Sequence, residues 1–111
     1  MSKVAKESRA ERVRALTGGM RLPWSAAPMF LVSGPGPVLA ACRAGIAAAF
    51  PTPNARSLDI LEEWLQQVVA GHAEACRAAP GKVGHWALNL VMHNSYDRLR
   101  PELELVDRYQ P

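Results

Sequence analysis

Three histidines, two cysteines and one glycine-proline corner are the residues of this chain whose types and spacing could do chemistry. His93 and Asp97 stand four apart, the separation that stacks two side chains on one face of a helix, and His85 lies two turns earlier. An imidazole and a carboxylate so placed could share a divalent cation. A structural zinc site takes four ligands, usually with closely spaced cysteines, and no CxxC, HxH or HExxH occurs. The expectation is a polar pair on a helix surface, with no metal and no cofactor.

Nucleophilic chemistry has little more support. Cys42 and Cys76 lie in Ala-rich runs, the setting of inert buried thiols rather than of reactive ones at helix starts. Ser33 precedes Gly34 without a GxSxG elbow. His72 falls on an apolar seam, where a core histidine with paired ring nitrogens is expected. No catalytic residue is assigned, and the chain is read as a non-enzyme.

The corner "SGPGPV" at residues 33–38 invites comparison with a phosphate cradle, which aims successive backbone N–H groups at anionic oxygens. Pro35 and Pro37 delete two of those donors. The Walker pattern needs Lys and Ser or Thr where Val38 and Leu39 stand, and the third glycine of a dinucleotide fingerprint would fall at Leu39. The corner is a stiff turn.

The elements that would position these residues read as helices. With 111 residues, 49% hydrophobic and 21% charged, the chain suits one globular domain. Only 6% is aromatic, so the core must be built from Ala, Leu and Val, a composition that favours closely packed helices. Residues 3–17 form a first helix, stopped by Gly18-Gly19 acting as a left-handed cap. Residues 20–30 form an irregular connector plugged by Trp24, and 29–32 offer a short strand without a partner. A second helix is expected from Pro37 to about Phe50.

The strongest pattern is residues 57–79, capped by Ser57. Leu58, Leu61, Leu65, Val68, His72 and Ala75 form a seam at steps of three and four, broadened by Ile60, Trp64 and Val69. Between Lys82 and Arg100, Trp86, Leu88, Leu90 and Met92 alternate like a strand, while His85, Asn89, His93 and Asp97 recur like a helix stripe. Length favours helix there. A last short helix follows Pro101. The fold expected is a small all-α bundle of four to five helices over 22–111, with residues 1–21 as a basic N-terminal helix or arm.

Charge is uneven. Residues 1–21 carry a net +4 from Lys3, Lys6, Arg9, Arg12, Arg14 and Arg21 against Glu7 and Glu11, and the remainder carries −1. Two cysteines make no disulfide framework, no apolar leader follows the start, and no run approaches the ~20 residues of a membrane helix. These features point to a cytoplasmic chain with reduced thiols. The function expected is a small regulator, adaptor or inhibitor acting through a protein–protein surface. Trp24 and Trp64 would be its anchors, with Arg9, Arg12, Arg14 and Arg21 steering an acidic partner. A homo-oligomer fits the seam. The alternative is a nucleic-acid-associated protein that contacts phosphates through its basic helix.

Overall fold

A computed structural model of the chain describes residues 8–111. It contains four helices: α1 (Arg9–Thr17), α2 (Pro35–Arg43), α3 (Leu58–Ala78) and α4 (Leu99–Tyr109). Three strands, β1 (Ser25–Ala26), β2 (Ala47–Pro51) and β3 (Trp86–Asn89), form a parallel sheet in the order β1-β2-β3. The fold is therefore mixed α/β, and the expected all-α bundle is overturned. From β1 onward the chain alternates strand and helix, as parallel pairing requires, because each strand must return through a crossover.

Three segments account for the difference. The helix expected to reach Phe50 ends at Arg43, where Gly45 takes φ +88°. The Gly45 amide donates to the Cys42 carbonyl at 3.0 Å and the Ile46 amide to Ala41 at 3.2 Å, closing a Schellman cap. Ala47–Pro51 is then released to become the central strand. Alanine is a poor strand former, but here tertiary packing outweighs local propensity. Lys82–Arg98 holds β3 and an irregular loop instead of a helix, and helix resumes only at Leu99 with α4, so His85, Asn89, His93 and Asp97 share no stripe. Residues 29–32 are turn rather than strand, and Ser25–Ala26 pairs instead.

Other boundaries depart less. α3 begins after Ser57, whose hydroxyl accepts from the Ile60 amide at 3.2 Å, and Leu61, Leu65, Val68 and Ala75 of the expected seam are buried. α1 starts with a capping box between Ser8 and Glu11, and buries no residue. Gly18 caps it in the right-handed region, not the left-handed one. The expected start of that helix at residues 3–7, with Lys3 and Lys6, lies outside the described residues.

The core lies between the helices and one face of the sheet. Ala48 and Phe50 of β2 meet Val38 and Cys42 of α2, Leu61, Leu65 and Val68 of α3, and Leu105 of α4. Trp64 stands edge-on to Phe50, with ring centroids 5.6 Å apart. Gly71 lets α2 approach α3 closely: a β-carbon there would come within 2.6 Å of Leu39 Cδ1. Tyr109 and Arg108 on α4 both donate to Glu62 of α3, at 2.9 and 2.7 Å. Those two bonds hold the Glu62 carboxyl below its ordinary range, the Tyr109 bond foremost.

Candidate functional site

Strand side chains alternate between faces, so the register decides what each face presents. Ala26, Ala48 and Trp86 are aligned across the sheet, as are Phe50 and Leu88, and all pack toward the helices. The opposite face presents Ser25, Ala47, Ala49, Ala87 and Asn89, of which Ser25, Ala87 and Asn89 are exposed. Parallel sheets are ordinarily covered on both faces. The dimensions agree with a single helix layer: the molecule measures 39 × 37 × 21 Å. Its Cα radius of gyration is 15.1 Å, above the roughly 13 Å of a compact chain of this length.

The loops at the carboxyl ends of the strands expose an apolar rim at that end of the sheet. Met29, Phe30, Leu31 and Val32 are 52%, 68%, 68% and 63% exposed, and Met92 beyond β3 is 78% exposed. Exposure here does not come from a loose loop. The Asn54 amide donates to the carbonyls of Met29 and Ser33 at 2.9 and 2.8 Å, and its oxygen accepts from the Leu31 amide at 2.9 Å. Ser33 Oγ accepts from the Met29 amide at 2.7 Å. So tied, the backbone holds Leu31 at φ +66°, a conformation leucine ordinarily avoids. Strain of this kind persists only where the surroundings dictate it, and it gathers at functional surfaces.

The residues singled out from sequence are scattered. Arg9, Arg12 and Arg14 are exposed on α1, and Arg21 is exposed while its amide is tied to the Gly45 carbonyl at 2.8 Å. Trp24 is 64% exposed at the start of β1, the end of the sheet away from the rim. Trp64 is half-buried against Phe50 and beneath Gly34, so it contributes to the core as well as to any surface. His85 and His93 flank β3 at its two ends. His93 Nδ1 lies 2.7 Å from Ser95 Oγ and accepts from the Ser95 amide at 3.1 Å. It makes no ion pair with Asp97. Among the described residues no group of three or more metal-ligating side chains comes together.

Sequence reasoning missed the rim. The signal that would have found it is the absence of charge: residues 22–42 contain no Asp, Glu, Lys or Arg. Asn54, in a Pro-rich break between elements, shapes the loop through three hydrogen bonds that no local pattern announces. No described helix is long and apolar enough to cross a membrane. No protein-family model matches this chain, and neither a curated protein nor a solved structure matches it.

Proposed function

We propose that this chain is a protein-binding module, a regulator or adaptor, that acts by burying its uncovered sheet face and apolar rim against another polypeptide. The observation that carries this reading is the parallel sheet, which among the described residues is packed by helices on one face only. Such a face leaves backbone and alanine surface in water, and both edge strands offer unpaired N–H and C=O groups. Fixing the loop in advance lowers the ordering cost of association, so exposed Phe30 and Leu31 can bind as rigid anchors. Where the partner is a different, acidic polypeptide, the exposed arginines of α1 would steer it from a distance rather than touch it at the rim.

A second copy of the chain is the first occupant to test. The rim is uncharged, so two copies can meet there without burying like charges. Sedimentation velocity from micromolar to near-millimolar concentration should show association. Ala49→Arg, on the open face, and Leu31→Asp, on the rim, should abolish it while circular dichroism stays unchanged. A chain that remains monomeric throughout and gives no apolar-dye fluorescence above the Leu31→Asp background overturns the reading.

A second reading places a small ligand at the same rim. Ligands of open parallel sheets sit beyond the carboxyl ends of the strands, and the strained Leu31 lies in that position. Asn89 and His93 would supply its polar contacts. Protection of rim amides from hydrogen exchange by a small molecule, with no change in oligomeric state, would favour it.

A further inference from the structure

The opposite end of the sheet carries a feature that the rim does not explain. Three basic residues from three separate segments line one open cavity of about 510 Å³ there: Arg21 from the connector after α1, Arg43 from the last turn of α2, and Lys82 from the turn after α3. That volume is within the range of small-ligand sites. No carboxylate lines the cavity. Among the described residues none of the three cations is in an ion pair. Glu74 lines the adjoining cavity with Arg43 without pairing to it.

The walls are fixed by backbone contacts. Arg21 is held by its amide on the Gly45 carbonyl at 2.8 Å, and Lys82 by its amide on the Ala79 carbonyl at 3.1 Å. Gly19 passes so close to the turn after α3 that a β-carbon on it would be 2.9 Å from the Gly81 carbonyl oxygen. Gly81 itself takes φ +72°. The three basic residues therefore come to one cavity through the fold, from positions 21, 43 and 82, and not through neighbourhood in sequence.

A simpler role exists for two of them. Arg43 and Lys82 sit at the carboxyl ends of α2 and α3, where positive charge offsets the helix dipole. Each helix end is equivalent to about half a negative charge. Three helix ends meet at the cavity, that of α1 included through its cap Gly18, and together offset about one and a half of the three positive charges, leaving about one and a half. A surplus of that size suits a phosphomonoester, which carries about 1.5 to 2 negative charges near neutral pH. Arginine adds planar forks that fit phosphate oxygens, with lysine as a point charge.

We propose that this cavity binds the dianionic phosphate group of a phosphomonoester, independently of what covers the rim. Inorganic phosphate is the probe, titrated into the full chain at low ionic strength and constant sodium, and followed by amide NMR shifts. Saturable binding is expected, centred on residues 18–21, 43–45 and 79–82. Arg43→Gln and Lys82→Gln should each weaken it about tenfold, in line with loss of a charge-assisted contact. Arg77→Gln removes the same charge from the last turn of α3 outside the cavity lining, and should change affinity less than twofold. Circular dichroism confirms that each variant is folded. Non-saturable shifts, or equal weakening by all three variants, would overturn the proposal in favour of dipole compensation alone. A duplex oligonucleotide that binds with steep salt dependence while phosphate does not would overturn it in favour of a polyanion surface.

Discussion

Thr52, the first residue after β2, donates its hydroxyl to the carboxylate of Glu102 on α4 at 2.8 Å, and both side chains are fully buried. This bond ties the last helix to the central strand. Tyr96 donates to the other carboxylate oxygen, and Arg98 Nη2 stands 3.3 Å from it while Nη1 donates to the Ala55 carbonyl. A buried carboxylate is tolerated because it is met from several sides. Truncating it leaves the hydroxyl and the phenol without their acceptor and the buried guanidinium without its counter-charge. Glu102→Ala should therefore cost about 3–5 kcal/mol, the range for a broken buried pair. Thr52→Val, which removes one bond, should cost about 1–2 kcal/mol. Urea unfolding of the two variants measures both, and the expected order is fixed.

Gly84 is irreplaceable for a geometric reason. A β-carbon at this position would overlap the Ile46 carbonyl, which is backbone of the segment entering β2. The residue's own amide donates to the Cys42 carbonyl at 2.9 Å, and its carbonyl lies 2.8 Å from His72 Nε2. It cannot move without releasing both. Gly84→Ala should destabilise by at least about 3 kcal/mol, the upper end for forced overpacking. Gly36→Ala, where a β-carbon meets nothing within 4 Å, is the control and should stay within about 1 kcal/mol of the parent.

Leu31 should behave in the opposite way. Its side chain is 68% exposed and its φ of +66° is one that glycine adopts freely. Leu31→Gly relieves about 1 kcal/mol of backbone strain while giving up little burial. The melting temperature should rise by a few degrees. The same variant should weaken any association through the rim, because it removes an anchor. Gain of stability together with loss of binding would identify strain kept for function.

α3 was legible in the sequence because several signals agree there: a Ser57 cap, a repeating apolar seam and a Pro80-Gly81 stop. α4 was legible from the amphipathic run around Pro101, although the helix starts two residues before that proline, at Leu99. The sheet was not. Ala47–Ala48–Ala49 carries no strand propensity, and it becomes a strand only because Trp24 and His85 present carbonyls to the amides of Ala47 and Ala48, each at 3.0 Å. β3 shows its alternation at Trp86 and Leu88, but only four residues pair, and a strand that short is hidden inside an apolar stretch of helix length. Gly45 was the missed punctuation: a glycine after "AACRA" marks a helix end, and stopping there would have freed the central strand. The buried Glu102 network was illegible by nature, since Thr52, Tyr96 and Arg98 approach it from other segments.

Cys42 gives the pH dependence that most sharply tests the core. Its thiol is fully buried under β2 and β3 and lies 3.6 Å from the His85 carbonyl. Burial, reinforced by the neighbouring Cys76 and opposed by Arg43, pushes its pKa from 9.0 up to about 11. In the unfolded chain the thiol ionises near its ordinary value, so between these two values the unfolded state sheds a proton that the folded state keeps. The corresponding stability is complete below pH 9.0 and is lost as pH rises through about 11. Stability measured by urea unfolding should fall more steeply over that interval in the parent than in Cys42→Ala. At pH 8, iodoacetamide should modify half-buried Cys76 in the native chain and leave Cys42 intact until denaturant is added. Equal alkylation of the two thiols in the native state, or pH profiles that superimpose, would show that the α2–sheet packing around Cys42 is open to solvent.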